Sequence, residues 1–422
     1  MSYSETALDL LEKGQLEDFK KQYALALRHD DDDTLYGLAE ELYSLGFVNQ
    51  SKRIYEKLLE KYPDEDELRT HLADILIGED KTDEALLLLN EIKPDSDAYV
   101  QSLMVAADLY QTQELFEVSE QKLIRALELA PEETVIRFAL AELYFTMREF
   151  AKAIPLYLGI IKDGFLNYSA VNIVERIGVA YANEGKFEQA VGYLEQVHSG
   201  EMTPDVKFEL GFTYLQLGET KKAITTLSEL QDTDPQYTSL YPYLGHAYEE
   251  ENQNEDALKV LQEGLAVDEF NEKLWLQSAK IALKLNDEEL AETYLNHGRE
   301  LDPEDLEIAI QLSNLLIKQE RWQDNIDLVS KYLDQDNLDP QLYWNLAVSY
   351  DALENLDQAQ KAYESAQPFF MDQPDFLKPA VYFFRKVGQL ELAERLLARY
   401  LELVPEDDEM VLLQDDFHQL GY

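Results

Sequence analysis

A small residue returns along this chain at Ala7, Ala39, Ala73, Ala107, Ala141, Gly178, Gly211, Gly245, Ala279, Ser313, Ala347 and Val381. Eight of the eleven steps are 34 residues, and the other three are 32, 37 and 33. A second series runs twelve residues behind it: Phe19, Ser51, Ala85, Ser119, Ala153, Ala190, Ala223, Ala257, Ala291, Asn325, Ala359 and Ala393. Eight of those twelve are alanine, so the two series keep step with one another. A fixed period of this length marks one supersecondary unit repeated along a line. A single unit cannot bury its apolar face, and stacking on its neighbours creates the core. The period therefore outweighs the two or three globular domains that 422 residues would otherwise imply.

The unit is clearest over residues 204–235, with Leu210-Gly211-Phe212-Thr213-Tyr214, then Ala223, Leu227 and Pro235. Three residues past the small position, tyrosine recurs at Tyr110, Tyr144, Tyr181, Tyr214, Tyr248 and Tyr350. Prolines close units at Pro63, Pro131, Pro235, Pro303 and Pro405. This pattern resembles the tetratricopeptide repeat, with Lys207 in place of its tryptophan and Leu227 in place of its second-helix phenylalanine. The resemblance covers essentially the whole chain. It implies an all-α fold, an α-solenoid wound as a right-handed superhelix of about twelve helix-turn-helix repeats. Small residues let the two helices of a hairpin approach, and proline stops the second helix.

In order, residues 1–162 read as repeats 1–5, 163–204 as an irregular junction containing repeat 6, 205–408 as repeats 7–12, and 409–422 as a capping helix. Repeat 1 is degenerate, with Phe19 in the alanine place. The run Asp30–Asp33 is expected to cap the helix that follows it. Repeat 3 ends early at Lys93-Pro94, and Pro155 should distort the second helix of repeat 5 only mildly. The insertion Asp163-Gly164-Phe165-Leu166-Asn167 and the turn-rich stretch from His198 to Pro204 mark a candidate hinge. Phe369 and Phe370 are expected to pack under the last junction. The stripe Met410, Leu413, Phe417 and Leu420 predicts a terminal helix with one apolar side, and Gln414, Asp415, Asp416 and His418 its wet side.

Chemistry is harder to find. The chain has no cysteine, so it has neither a disulfide framework nor a cysteine metal site. Its histidines, His29, His71, His198, His246, His297 and His418, form no metal-ligand spacing. No phosphate-binding glycine loop and no nucleophile elbow occurs. The expectation is a protein that is not an enzyme and needs no cofactor. The N-terminal residues lack a signal peptide's pattern and no apolar run is long enough to span a bilayer, which predicts a cytoplasmic protein. With 85 acidic against 36 basic residues the net charge is −49. Such a charge argues against direct binding to nucleic acid or anionic lipid and favours a partner with a basic surface. A component of nucleic-acid-handling machinery would qualify.

In tetratricopeptide proteins the first helices line a concave groove. The resemblance places there the residues three before, one after and four after the small position. These include Tyr36, Glu40 and Tyr43 in repeat 2, Asp74 in repeat 3, Asp108 in repeat 4, and Phe138, Glu142 and Phe145 in repeat 5. Phe208 and Phe212 follow in repeat 7, and Trp344 and Asp351 in repeat 11. Lys280 and Arg385 add basic character toward the C-terminal end. The lysine–asparagine clamp of carboxylate-binding co-chaperones would need different pairs from Tyr36/Glu40, Thr70/Asp74, Met104/Asp108 and Phe138/Glu142. With repeats from residue 4 onward, the chain should lack the effector bundle of peptide-sensing regulators. By length, acidity and lack of accessory domains it resembles the cytosolic Firmicutes tetratricopeptide proteins of the YpiA type. The resemblance implies a scaffold or adaptor that holds a partner protein or peptide in the groove; the alternative is a peptide-responsive regulator or a chaperone-like holdase.

Overall fold

A computed structural model describes residues 2–333 and 339–420, with side chains to Phe417. Its helices pair as the two series require. In repeat 2 the first helix is Asp32–Ser44 and the second Val48–Lys61; in repeat 7 they are Pro204–Gln216 and Thr220–Thr233. The same pairing runs from Tyr3–Glu12 with Leu16–His29 to Pro374–Lys386 with Leu390–Leu403. A last helix, Asp408–Leu420, packs on the second helix of repeat 12. Among the described residues these are twelve hairpins and a terminal helix, an all-α tetratricopeptide solenoid. The chain divides into two compact units, Met1–Met202 and Thr203–Tyr422, so repeat 6 belongs to the first.

Both small-residue series are buried in every repeat. At Gly211 an added Cβ would fall 2.6 Å from Leu227 of the facing helix, which is how closely the two helices of that hairpin approach. The turn inside each hairpin is built one way throughout. Seven residues past the small position the backbone is left-handed, from Gly14 (φ 70°) through Asp80, Glu114 and Asn252 to Glu354 and Gly388. The next amide then reaches back to the carbonyl three past the small residue. Glu219 N–H donates to Tyr214 O and Asn355 N–H to Tyr350 O, both at 2.8 Å. This is the Schellman closure, which satisfies a carbonyl the helix end would leave open.

The departures from the pattern have local causes. Asp31 does cap the helix after it, accepting from Thr34 N–H at 2.9 Å. Asp30 instead turns back and accepts from the N–H and hydroxyl of Ser4, both at 2.7 Å. Repeat 3's second helix is short, Thr82–Glu91, and Pro155 sits inside an unbroken helix, Phe150–Lys162. The insertion continues into a two-stranded antiparallel hairpin, Asn167–Tyr168 with Val171–Asn172, turning on Ser169 and Ala170 at positive φ. Phe369 and Phe370 part company. Phe370 packs on Trp344 and Phe376, as expected, whereas Phe369 is 65% exposed at the end of a short 3-10 turn. Met410, Leu413 and Phe417 are buried; the side chains of Leu420 and His418 lie outside the described residues.

The odd pair Ser313 and Asn325 in repeat 10 is one feature. Ser313 donates to Asn325 Oδ1 at 2.6 Å, and Asn325 Nδ2 donates to Ser349 Oγ at 2.8 Å and to the Asn345 carbonyl at 3.2 Å. Asn345 Nδ2 closes the ring on Ser313 at 2.8 Å. All four side chains are buried. A buried polar group is tolerated when hydrogen-bonded, so the network stands where most other repeats pack alanine or glycine.

Candidate interaction groove

The residues expected in the groove sit on the first helices of their repeats. Tyr36, Asp74, Phe138, Glu142, Phe145, Phe208, Phe212, Trp344 and Asp351 are half-buried, while Glu40, Tyr43 and Asp108 are exposed. Several of their contacts run sideways, from one repeat's first helix to the next. The Tyr43 hydroxyl donates to Asp74 Oδ2 at 2.6 Å. The Tyr36 hydroxyl and His71 Nε2 share a hydrogen bond of 3.0 Å. Glu142 receives Arg176 at both oxygens, 3.1 Å from Nε and 3.0 Å from Nη2, and the Tyr157 hydroxyl as well. The same guanidinium lies 4.5 Å from the Phe145 ring centroid, a cation–π contact. Phe138 rests on Tyr168 of the inserted hairpin, 5.0 Å between centroids.

In the second unit, Phe208 and Phe212 lie nearly parallel, and Tyr243 stands almost perpendicular to both at 5.4 and 5.3 Å. Trp344 belongs to a separate aromatic group with Phe370 and Phe376. Asp351 is held by Lys386 at 2.8 Å. Other basic residues of this unit's first helices are also answered within the chain, Lys280 by Glu307 and Lys378 by Asp407 and Glu409.

Three side chains that the expected groove residues contact were not singled out as such in the sequence: His71, Arg176 and Tyr243. All three lie two before the small residue of their repeat. That position faces the preceding repeat's groove residues, and the period alone could have located it. Val105 and Ala139 occupy it after Asp74 and Asp108, so no charge answers those two carboxylates there. Desolvation of the Asp108 carboxyl, and then the charge of Asp74, hold it above the usual range. Burial first, and then its bond to Asp74, push the Tyr43 hydroxyl up. Among the described residues no cluster of histidine and carboxylate side chains could hold a metal, and no helix is long and apolar enough to cross a membrane.

Helical hairpins in 34-residue register, with a row of first-helix side chains bridging neighbours, define a tetratricopeptide repeat protein. Tetratricopeptide matches fall on residues 48–107, 205–237 and 272–305. Residues 111–165 match the family described as YpiA-like, tetratricopeptide repeats, and 340–407 its C-terminal repeats. The TPR repeat-containing protein YpiA of Bacillus subtilis (strain 168) is 35% identical over 417 residues, 97% of this chain and 98% of that protein. The chain belongs to this YpiA-like family. Among solved structures, the Cut9 and Hcn1 hetero-tetramer of the APC/C aligns at a TM-score of 0.41 and 13% identity, over 97% of this chain and 95% of that one. YrrB, a TPR protein with an unusual peptide-binding site, aligns at 0.38 and 18%, over 44% and 95%.

Proposed function

We propose that the protein is a non-enzymatic scaffold whose first-helix groove holds a partner segment of mixed basic and apolar character. One observation carries the reading. Four successive repeats place a carboxylate one past the small residue, and only the last is answered by a cation. Glu142 has Arg176, whereas Glu40, Asp74 and Asp108 have no ion pair among the described residues. Uncompensated carboxylates beside Tyr36 and Tyr43 suit cationic side chains, and the rings supply contact area at low entropy cost. The charge of −49 favours encounter with a basic partner such as a nucleic-acid-handling protein, and cytoplasmic residence belongs to the same reading.

The test is site-directed photocrosslinking in the source cell. A benzophenone side chain at Tyr43 is expected to trap a partner. The same group at Leu87, exposed on a second helix, should trap none. A partner crosslinked at Leu87 and absent at Tyr43 would remove the groove from the account.

A further inference from the structure

Two cavities open side by side where the first helices of repeats 2 to 4 begin. The first, about 430 Å³, lies between repeats 2 and 3. Its apolar lining is Tyr36, Tyr62, Leu58 and Leu68, and its polar lining is Asp32, Asp33, Glu65 and Glu67. The second, about 310 Å³, lies between repeats 3 and 4, shares Glu65 and Glu67 with the first, and adds Asp64, Asp66 and Asp97. Two of these carboxylates are already answered, Asp32 by Lys61 and Asp66 by Arg69. Asp33, Asp64, Glu65, Glu67 and Asp97 pair with no cation among the described residues. Helix ends account for Asp33 and Glu67, because negative charge in a first turn is favoured by the positive N-terminal end of the helix dipole. They account neither for the open volume nor for Asp64 and Asp97, which lie outside the helices.

We propose that this edge binds an extended segment of the partner protein through two cationic side chains, one in each cavity. The inference rests on the groove reading for the basic character of that partner, and adds where its charges are held. In the first cavity the rings of Tyr36 and Tyr62 suit an ammonium or guanidinium group and offer apolar surface to its aliphatic stem. Lys61 shows the same chemistry at one corner, with its ammonium on Asp32 and 5.2 Å from the Tyr62 ring centroid. Both volumes match those of ligand sites, roughly 300 Å³ and upward. Neighbouring packed helices lie about 10 Å apart, and an extended chain advances about 3.3 Å per residue. Lysines or arginines two to four residues apart therefore reach both cavities.

The experiment is fluorescence anisotropy with the full chain at low salt. The probe is a fluorescein-labelled peptide of alternating lysine and leucine. Two double variants remove the same charge, Glu65→Gln with Glu67→Gln at the edge and Glu40→Gln with Asp108→Asn in the groove, each checked for an unchanged melting curve. Both variants are expected to weaken binding, the edge variant about tenfold and the groove variant about threefold. Equal losses, or a loss confined to the groove variant, would overturn the edge site and leave the groove reading standing. Failure of the unmodified chain to bind the peptide would overturn both. Displacement by spermidine at matched charge would give the cavities to a free polyamine and overturn the peptide inference.

Discussion

Glu354 and Gly218 occupy the same place in their repeats, seven past the small residue, and both carry positive φ, 59° and 70°. Glycine enters that region freely, whereas a side chain meets its own backbone there. Glu114, Glu320 and Arg148 share the strain of Glu354. Replacing Glu354 with glycine is therefore expected to stabilise the chain by about 0.5–1 kcal/mol, less glycine's own entropy cost. Gly218→Ala is expected to destabilise by about 1 kcal/mol. Thermal melts of the two variants check both signs; a destabilised Glu354→Gly would mean that the glutamate side chain holds the turn in some other way. Glycines at 14, 46, 185, 218 and 388 already spelled this position in the sequence. Acidic and basic residues at the same place in other repeats hid it, because their side chains say nothing of φ.

At the scale of single elements, the Ser313, Asn325, Asn345 and Ser349 ring ties three helices of repeats 10 and 11 together. Asn325→Ala would leave Ser313 and Ser349 short of a partner, at a cost of about 2–3 kcal/mol. In a Ser313→Ala background the same change is expected to cost less by about 1 kcal/mol, read by a double-mutant cycle in urea. Strict additivity would show that the ring is not one unit. Ser313 and Asn325 were visible in the sequence as departures from the small residue and alanine, twelve apart. That they meet Asn345 and Ser349 was not, because those partners lie in the next repeat. The terminal helix has a polar anchor of its own. Bonds from Lys378, and then from the Tyr400 hydroxyl, lower the Asp407 carboxyl to about 2, and Asp407 also receives the Met410 amide. A depressed carboxyl contributes stability that is fully present above its unfolded value, near 4, and is lost as pH falls through the folded value. Amide exchange in Asp408–Leu420 is thus expected to quicken between about pH 4 and pH 2, beyond intrinsic acid effects. Glu409, also lowered by the Tyr382 hydroxyl and Lys378, titrates in the same window, so Asp407→Asn with Glu409→Gln should abolish that extra step, and its persistence in the double variant would contradict the anchor.

For the whole molecule, the period was enough to place all twelve hairpins and to put the groove residues on first helices. It was not enough to say which of them are already engaged. Glu142 reads in the sequence as one more free acid. In the structure it is the most thoroughly answered of its row, because Arg176 arrives from a different register position 34 residues on. Asp108 reads identically and is left open. The central claim is that the open acids and rings of repeats 2–5 face a basic, partly apolar partner segment. Hydrogen exchange of the full chain, with and without the lysine–leucine peptide, tests it most directly. The account predicts slowed exchange in first helices Asp32–Ser44, Asp66–Gly78 and Tyr99–Thr112, weakening as salt rises because exposed charges are screened over about 8–10 Å. Slowed exchange confined to second helices, or unchanged by salt, would contradict it.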